Sequence, residues 1–243
     1  MSYFIFNGIN SNDLGLIITK PIVRPTWKPE VEYIAIPGRP RQLPVQKTWY
    51  PNRSFTVDAV LGDASPEKVR NVYAAIRDYG VLNISTAPDE YLNCYVESID
   101  PNGVAISMAE FPITFTVEPF AYSDTATEYN VANDDVIVEY NGTAFCDPQI
   151  VIHPSTTTTT INCNNVVMTV ATPQDIINAS YSTSYSLVID CEGELAYYTK
   201  PNGDKVACTQ LTHGSFPRLH NGNNYLSVFT VNSATMTVRE RWY

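Results

Sequence analysis

The side chains that could carry catalysis are few in this sequence and widely scattered. Nucleophilic hydrolysis requires a serine or cysteine on a constrained turn beside a base, and the sequence has no G-x-S-x-G motif. His213-Gly214-Ser215 comes nearest to one, but it lies in a loop with glycine and proline and has no second signal. The other histidines, His153 and His220, lack the spacing of metal ligands. The sequence therefore predicts neither a catalytic centre nor a metal site.

Paired carboxylates and cysteines add no further chemistry. Acidic neighbours occur at Asp89-Glu90 and Asp134-Asp135, but adjacent residues rarely reach the carboxylate separation that a glycosidase requires. The absence of a glycine-rich phosphate loop predicts that nucleotides are not used, and we expect no cofactor. The five cysteines form no C-x-x-C pair, so we expect small buried thiols. We therefore expect the protein not to be an enzyme.

Composition and charge argue against further classes of protein. The 243-residue chain has a formal charge of -10 that is spread over both halves. Duplex binding depends on clusters of Lys and Arg, so we expect no sequence-specific binding of nucleic acid. No stretch approaches the roughly 18 uninterrupted apolar residues of a membrane helix, so we expect no membrane association. Residues 1–6 lack the features of a secretory signal, which predicts synthesis in a cytoplasm.

The hydrophobic pattern predicts a mainly β protein. Alternation with period two marks strands at 54–61 and 111–118. Five Asn-Gly dipeptides favour tight hairpin turns between strands. One segment instead repeats every 3.6 residues, with Ser65 suited to cap a helix and Gly80 suited to end it. We therefore predict one amphipathic helix over residues 66–79 that packs against a sheet.

A proline-rich stretch interrupts the first half of the chain. Prolines recur between Val23 and Pro51, which suits an extended arm or hairpin over about residues 24–52 better than a central strand. Large exposed aromatic side chains usually mark partner surfaces, so we interpret the arm as an inter-subunit belt. The alternative is a surface loop whose tryptophans pack locally. The side chains predicted to contact a neighbouring subunit are Trp27, Trp49, Ile34, Ile36 and Arg39.

Length and composition predict two domains. The chain is long for one core, since domains cluster at roughly 100 to 150 residues. The segment from Ser123 to Asp135 is small and polar, and we interpret it as a linker. The first domain is predicted at residues 1–125, as a β-sandwich or split barrel with one helix and the arm. The second is predicted at residues 134–243, as a β-sandwich.

Several short motifs occur in an order that is similar to one known family. Asp-Leu-Gly and Pro-Gly-Arg follow an early Phe-Asn-Gly, the single helix comes next, and Pro-Phe-Ala-Tyr closes the first half. In this order and rough spacing the chain resembles the distal tail protein (Dit) of long-tailed, non-contractile bacteriophages. The motif positions are Asn7, Gly8, Gly15, Gly38, Pro119 and Phe120.

The resemblance implies a fold and a structural role. Members of that family have an N-terminal β-domain with one helix that closes into a hexameric ring, followed by a galectin-like β-sandwich. By this resemblance the chain would form a ring hub at the virion tail tip, assembled in the cytoplasm of the host bacterium. The ring would link the tail tube protein to the tail-associated hub protein, and its outer sandwiches would carry or border receptor-binding proteins. DNA would pass through the lumen, where an acidic wall would not hold phosphates.

Two other classes of function stay open at this point. A carbohydrate-binding module would place aromatic residues such as Trp242 or Tyr225 on an exposed platform. Another baseplate adaptor, including one of a contractile system, would show a different ring order. No set of sugar-binding residues carries over from the family to this sequence.

Overall fold

The chain divides into two compact units. The computed structural model describes residues 2–26, 30–47, 50–105 and 108–243. The first unit comprises Met1–Asp124 together with Tyr243, and the second comprises Thr125–Trp242. Both units are built mainly from β-strands, which confirms the predicted fold class.

The first unit is dominated by one antiparallel sheet. Its elements are β1 (Phe4–Phe6), β2 (Ile9–Asn10), β3 (Leu16–Ile18), β4 (Val31–Ile34), β5 (Leu43–Gln46), β6 (Arg53–Gly62), α1 (Pro66–Ala75), β7 (Tyr79–Ile84), β8 (Ala87–Ile99), β9 (Asn102–Ala105) and β10 (Met108–Ser123). The main sheet runs in the order β2-β1-β7-β8-β10-β6-β3, with β9 beside β10. The strands β4 and β5 form a separate two-stranded sheet.

The predicted alternation in β6 and β10 places one face of this sheet in the core. In β10, Phe111 and Phe115 are fully buried, and Phe115 packs edge-on against Phe4 of β1 with ring centroids 5.6 Å apart. The helix α1 covers part of this core through its buried Val72. Burying such side chains supplies the main favourable free energy of the unit, since each contributes about 1.5–3 kcal/mol.

The helix begins where the sequence predicts and ends earlier. The Ser65 hydroxyl oxygen accepts from the backbone N–H of Lys68 at 3.5 Å, as a helix N-cap does. The prediction of residues 66–79 was too long, because α1 ends at Ala75 and Asp78 has a φ of 61°. The next residues enter β7, where Gly80 pairs with Cys94 of β8. Strand pairing in the sheet therefore replaces the last predicted turn of helix.

The second unit contains two antiparallel sheets. Its elements are β11 (Thr127–Asn130), β12 (Val136–Tyr140), β13 (Gln149–Pro154), β14 (Thr158–Cys163), β15 (Val166–Ala171), α2 (Gln174–Asn178), β16 (Ser186–Asp190), β17 (Leu195–Thr199), β18 (Lys205–Ala207), a 3-10 turn (Thr209–Leu211), β19 (Thr212–Gly214), β20 (Gly222–Phe229), β21 (Val231–Val238) and β22 (Arg241–Trp242). One sheet runs β11-β21-β13-β16-β17-β18 and the other β12-β20-β14-β15-β19.

A single core joins these two sheets into a sandwich. Ile150 and Ile189 from the first sheet belong to the same buried cluster as Ile161, Met168 and Val228 from the second. All five side chains are fully buried. The predicted β-sandwich of the second half is therefore present. The short helix α2 was not predicted by the sequence.

The segment interpreted as a linker is largely structured. The strand β10 continues to Ser123, and β11 occupies Thr127–Asn130 within the predicted linker. Residues 127–130 pair with β21, so the second unit starts before Asp134. The small polar residues were misleading because an edge strand exposes most of its side chains to water and needs few apolar ones.

Candidate assembly surfaces

The proline-rich stretch forms an exposed hairpin. We call residues 30–47 the arm hairpin, in which β4 and β5 pair with Ile34 opposite Leu43. Four large apolar side chains on it are strongly exposed, namely Tyr33 at 63%, Ile34 at 44%, Leu43 at 45% and Val45 at 39%. Contiguous exposed apolar side chains of this size usually mark a surface that binds a partner.

The tip of the arm hairpin is a hydrogen-bonded, basic turn. The backbone N–H of Arg39 donates to the carbonyl oxygen of Ile36 at 3.0 Å. Pro37 and Gly38 occupy the centre of this turn, and Gly38 has a φ of +80°. This arrangement is a type II β-turn, in which the third position requires a left-handed residue. The exposed Arg39 and Arg41 make no ion pair with any described residue, so the tip is a positive point on an acidic chain.

The structure describes three of the five side chains that were predicted to contact a neighbouring subunit. Ile34 and Arg39 are exposed on the arm hairpin, and Ile36 is half-buried. Trp27 and Trp49 lie outside the described residues. The predicted contact with a neighbouring subunit therefore stays a prediction for all five.

The two ends of the arm are anchored in one aromatic cluster. We call Arg24, Tyr50, Glu90, Phe120 and Tyr243 the root cluster. The Tyr50 ring lies 5.3 Å from that of Phe120 and 5.5 Å from that of Tyr243, and the two tyrosine hydroxyls are 3.2 Å apart. Arg24 forms an ion pair with Glu90 and donates to the carbonyl oxygen of Tyr243 at 3.0 Å. Burial, followed by the hydrogen bond with Tyr50, raises the pKa of Tyr243 to about 12.

The outward face of the main sheet in the first unit is polar and acidic. We call it the hydroxyl-carboxylate face. It comprises Ser54, Thr56, Asp58, Glu97, Glu110, Thr114, Thr116 and Glu118. Glu97 lies on β8, and the other residues lie on β6 and β10, where they alternate with the buried side chains of the core. Successive side chains of a strand point to opposite faces of the sheet, so the polar face lies directly behind the core face.

Hydrogen bonds between side chains organise this face. The hydroxyls of Ser54 and Thr116 are 2.8 Å apart on paired strands. The Thr116 hydroxyl donates to the carboxylate of Glu97 at 2.7 Å. This bond, followed by one from Ser54, lowers the pKa of Glu97 below its usual range. The face therefore carries fixed negative charge at neutral pH, and Lys20 forms an ion pair with Asp58 on it at 2.7 Å.

The histidine and serine that came nearest to a catalytic motif in the sequence do not form a catalytic arrangement in the structure. His213 and Ser215 are both exposed, and no hydrogen bond joins them. The Nδ1 atom of His153 lies 2.7 Å from the carbonyl oxygen of Tyr185. Among the described residues, no group of three or more His, Cys, Asp or Glu could hold a metal ion. No helix in the described part of the chain is both long and apolar enough to span a membrane.

The cysteines lie in the cores of the two units. All five are buried and free. Burial raises the pKa of Cys94 to about 12 and of Cys146 and Cys208 to about 11. Such thiols stay protonated at neutral pH and act as small hydrophobic side chains.

Comparison with solved structures identifies the fold. A scan against protein-family models and a search of curated proteins find no match. The crystal structure of SPP1 Dit superposes with a TM-score of 0.79 at 15% sequence identity, covering 100% of both chains. The chain has the Dit fold. The SPP1 protein is described as a paradigm of the hub adsorption apparatus in phages that infect Gram-positive bacteria.

The first motif of the Dit resemblance forms a turn that locks two strands together. Asn7 and Gly8 have φ values of 48° and 82°, as a type I′ hairpin turn between β1 and β2 requires. The Asn7 backbone N–H donates to the carbonyl oxygen of Val81 at 2.9 Å, and its side-chain oxygen accepts from the Val81 N–H at 2.8 Å. A methyl group at Gly80 would lie 2.5 Å from the Asn7 side chain, so any larger residue here would displace the side chain that accepts from Val81.

The remaining Dit-like positions also shape the backbone. Gly15 has a φ of 76°, and its N–H donates to the carbonyl oxygen of Asn12 at 3.0 Å. Pro119 lies where the register of β10 shifts between Val117 and Ala121. This irregularity coincides with the segment that carries Phe120 into the root cluster. Sequence reasoning identified Phe120 and missed Tyr243, because its partners lie far away along the chain.

Proposed function

We propose that this protein is a structural component of a phage tail tip and acts as a Dit-like hub. The observation that carries this proposal is the fold similarity to SPP1 Dit over the full length of both chains. A similarity confined to one β-domain would have little meaning, since such domains serve many functions. Agreement over two consecutive units restricts the possible function much more strongly than agreement over one. The role is non-enzymatic and needs no cofactor.

The hub assembles as a hexameric ring through the first unit. The exposed apolar side chains of the arm hairpin support this, because a free protomer would leave Tyr33, Ile34 and Leu43 in water. The root cluster fixes both ends of the arm, so the arm meets a neighbour as a preformed element. The positively charged tip with Arg39 favours an acidic receiving surface on the next copy.

The ring is a conduit that joins other tail proteins. Its partners are the tail tube protein on one side and the tail-associated hub protein on the other, with receptor-binding proteins near the second unit. The hydroxyl-carboxylate face is the candidate lumen wall, because fixed carboxylates such as Glu97 and Glu118 repel DNA phosphates. The protein is made and assembled in the bacterial cytoplasm and ends at the tip of the virion tail.

Electron microscopy of the purified full-length protein tests this proposal. We expect annular particles with sixfold symmetry, and native mass spectrometry should give six copies per particle. A protein that stays monomeric at micromolar concentration contradicts the assembly role. Rings of another order contradict the hexamer and favour another baseplate adaptor.

A further inference from the structure

The second unit contains a cleft that the assembly role does not use. It has a volume of about 540 Å³. Its walls come from the turns after β14 and β16, from Asp147 before β13, and from the loop after β19. This volume lies within the range of roughly 300–1,000 Å³ that small-molecule sites occupy.

One arginine in the cleft is held in a fixed orientation. The Nε atom of Arg218 donates to the carboxylate of Asp147 at 2.7 Å. The guanidinium carbon of Arg218 lies 4.2 Å from the centre of the Phe145 ring. These two contacts fix the guanidinium plane and leave the terminal amino groups without a hydrogen bond to any described residue. Arg218 therefore presents an oriented pair of unused donors.

A buried ion network supports this arginine. The Asp147 side chain is only 8% exposed, and its second oxygen lies 3.3 Å from Nη1 of Arg241. Arg241 is 5% exposed and also pairs with Glu192 at 2.8 Å. Buried ion pairs are costly to form, and a network that uses both oxygens of Asp147 is a preorganised base for Arg218.

The cleft also offers acceptors, a hydroxyl group and an apolar surface. Glu194 is exposed and makes no side-chain hydrogen bond or ion pair with a described residue. The ring of His220 and the hydroxyl of Ser215 are likewise unused within the described chain. Phe216 adds a half-buried aromatic side chain to the same lining. Donors and acceptors therefore lie side by side with an aromatic surface.

The charge of the lining selects the class of ligand. With its supporting network, the lining has three carboxylates and two guanidinium groups, which leaves one negative charge in excess; the groups are Asp147, Glu192, Glu194, Arg218 and Arg241. An anionic ligand would meet this excess charge, whereas neighbouring hydroxyls can accept from Arg218 and donate to Glu194 at no net charge. We propose that this cleft binds a neutral saccharide unit. Sugar hydroxyls satisfy such paired donors and acceptors, and the apolar face of the ring can pack on Phe216.

The saccharide site is independent of ring formation. The residues that line it belong to the second unit, whereas the arm hairpin belongs to the first. A failure of sugar binding with intact rings would overturn this inference and leave the assembly role standing.

Titration of the full-length protein with neutral sugars tests the site. The probes are glucose, galactose, N-acetylglucosamine and chitobiose. Saturation-transfer NMR and calorimetry measure their binding. At least one should bind with a Kd on the order of 1 mM, as a few hydrogen bonds in an open cleft allow. Glu194→Gln and Arg218→Gln should each weaken this binding about tenfold.

A matched control separates the cleft from general charge effects. Glu139→Gln removes the same charge from an exposed position on β12 outside the cleft and should leave sugar binding unchanged. Glu194→Gln disturbs no described side-chain contact, so it tests the site even if Arg218→Gln fails to fold. Three results would overturn the inference: no binding of any neutral probe at about 10 mM, binding of glucuronate alone, or binding that neither cleft variant weakens.

Discussion

Gly80 shows how one missing side chain determines the packing of the first unit. Its backbone in β7 lies against the Asn7 turn, where an added methyl carbon would meet Asn7 atoms at 2.5 Å and the Phe6 ring at 2.6 Å. Carbon atoms do not approach other atoms this closely, so the side chains of Asn7 and Phe6, or the backbone of the turn or the strand, would have to move. The hydrogen bonds between Asn7 and Val81 would then be disturbed.

We expect Gly80→Ala to destabilise the protein by about 1–3 kcal/mol, as overpacked sites do. Urea denaturation of the full-length protein measures this change. Gly62→Ala is the matched control, since Gly62 also lies in a strand and has no atom within 4 Å of the added carbon. Equal stability of the two variants would show that the turn can shift freely.

The buried thiols predict a loss of stability in mild alkali. Burial raises the pKa of Cys94 to about 12, whereas an unfolded thiol ionises near the ordinary value of 9.0. When the pKa of a thiol is higher in the folded than in the unfolded protein, its contribution to stability is fully present below the unfolded pKa. That contribution is lost progressively as the pH rises from the unfolded pKa toward the folded pKa. The free energy of unfolding then falls by up to about 1.4 kcal/mol per pH unit for each such thiol.

Urea denaturation between about pH 8 and 10 measures this slope. The free energy of unfolding should fall with rising pH, and Cys94→Ala should make the fall shallower even if it lowers the overall stability. An unchanged slope in that variant would mean that Cys94 ionises equally in both states.

At the scale of elements, an Asn-Gly dipeptide predicted a tight hairpin turn correctly only where both of its residues adopt a positive φ. Asn7-Gly8 forms the expected type I′ turn, with positive φ at both residues. At Asn202-Gly203 only the glycine has a positive φ. Conversely, Asn164 and Asn165 join β14 to β15 with φ values of 50° and 67°, although no Asn-Gly dipeptide marks them. Asparagine tolerates the left-handed conformation, so two paired strands can be joined by a tight turn of asparagines without a glycine.

The end of α1 illustrates a second limit of sequence analysis. Apolar residues continue at helical spacing to Tyr79, which made a longer helix reasonable. The pairing of Tyr79 with Tyr95 on β8 depends on a partner sixteen residues further along the chain, and local periodicity contains no such information. A strand that completes a sheet outweighs one more turn of a marginal helix.

The arm hairpin makes a prediction at this scale. We expect the combined change of Tyr33, Ile34 and Leu43 to serine to weaken ring assembly at least about tenfold, because these side chains are exposed in the protomer and would be buried at a contact. Mass photometry measures assembly, and thermal unfolding measures protomer stability, which should change by less than about 1 kcal/mol.

Ile137→Ser is the control, since Ile137 is 56% exposed on β12 outside the arm. Trp27→Ala with Trp49→Ala should act like the arm variant if the belt prediction is correct. A parallel loss of thermal stability and assembly in the tryptophan variants would identify both as ordinary core residues.

At the scale of the whole molecule, the sequence predicted the architecture and much less of the surfaces. Alternation in β6 and β10 was enough to separate a core face from a polar face. The cleft beside Arg218 could not be predicted, because Asp147, Asn164, Glu194 and Arg218 come from four different segments. Only the closed sandwich brings these side chains together.

The net charge of the hydroxyl-carboxylate face predicts its behaviour toward DNA. We expect the assembled protein not to bind duplex DNA at physiological salt. Glu97→Lys with Glu110→Lys should create binding that decreases steeply as salt rises, because each new phosphate contact releases counterions. Fluorescence anisotropy with a labelled duplex measures this effect.

Asp134→Lys with Asp135→Lys changes the net charge equally at exposed positions of the second unit and serves as the control. Equal DNA binding by the two double variants would show that total charge matters and that the face has no special position in the ring.

Pro44 in the arm hairpin has a consequence for the fate of surplus protomers. It lies within β5 opposite Tyr33 and has no N–H to donate, so the outer border of that strand lacks a complete row of donors. Another chain therefore cannot add to the β5 edge by regular strand pairing, which is a usual route to fibrous aggregates. Recognition along the β5 edge must rely on side chains, so copies awaiting incorporation should associate less readily through this strand.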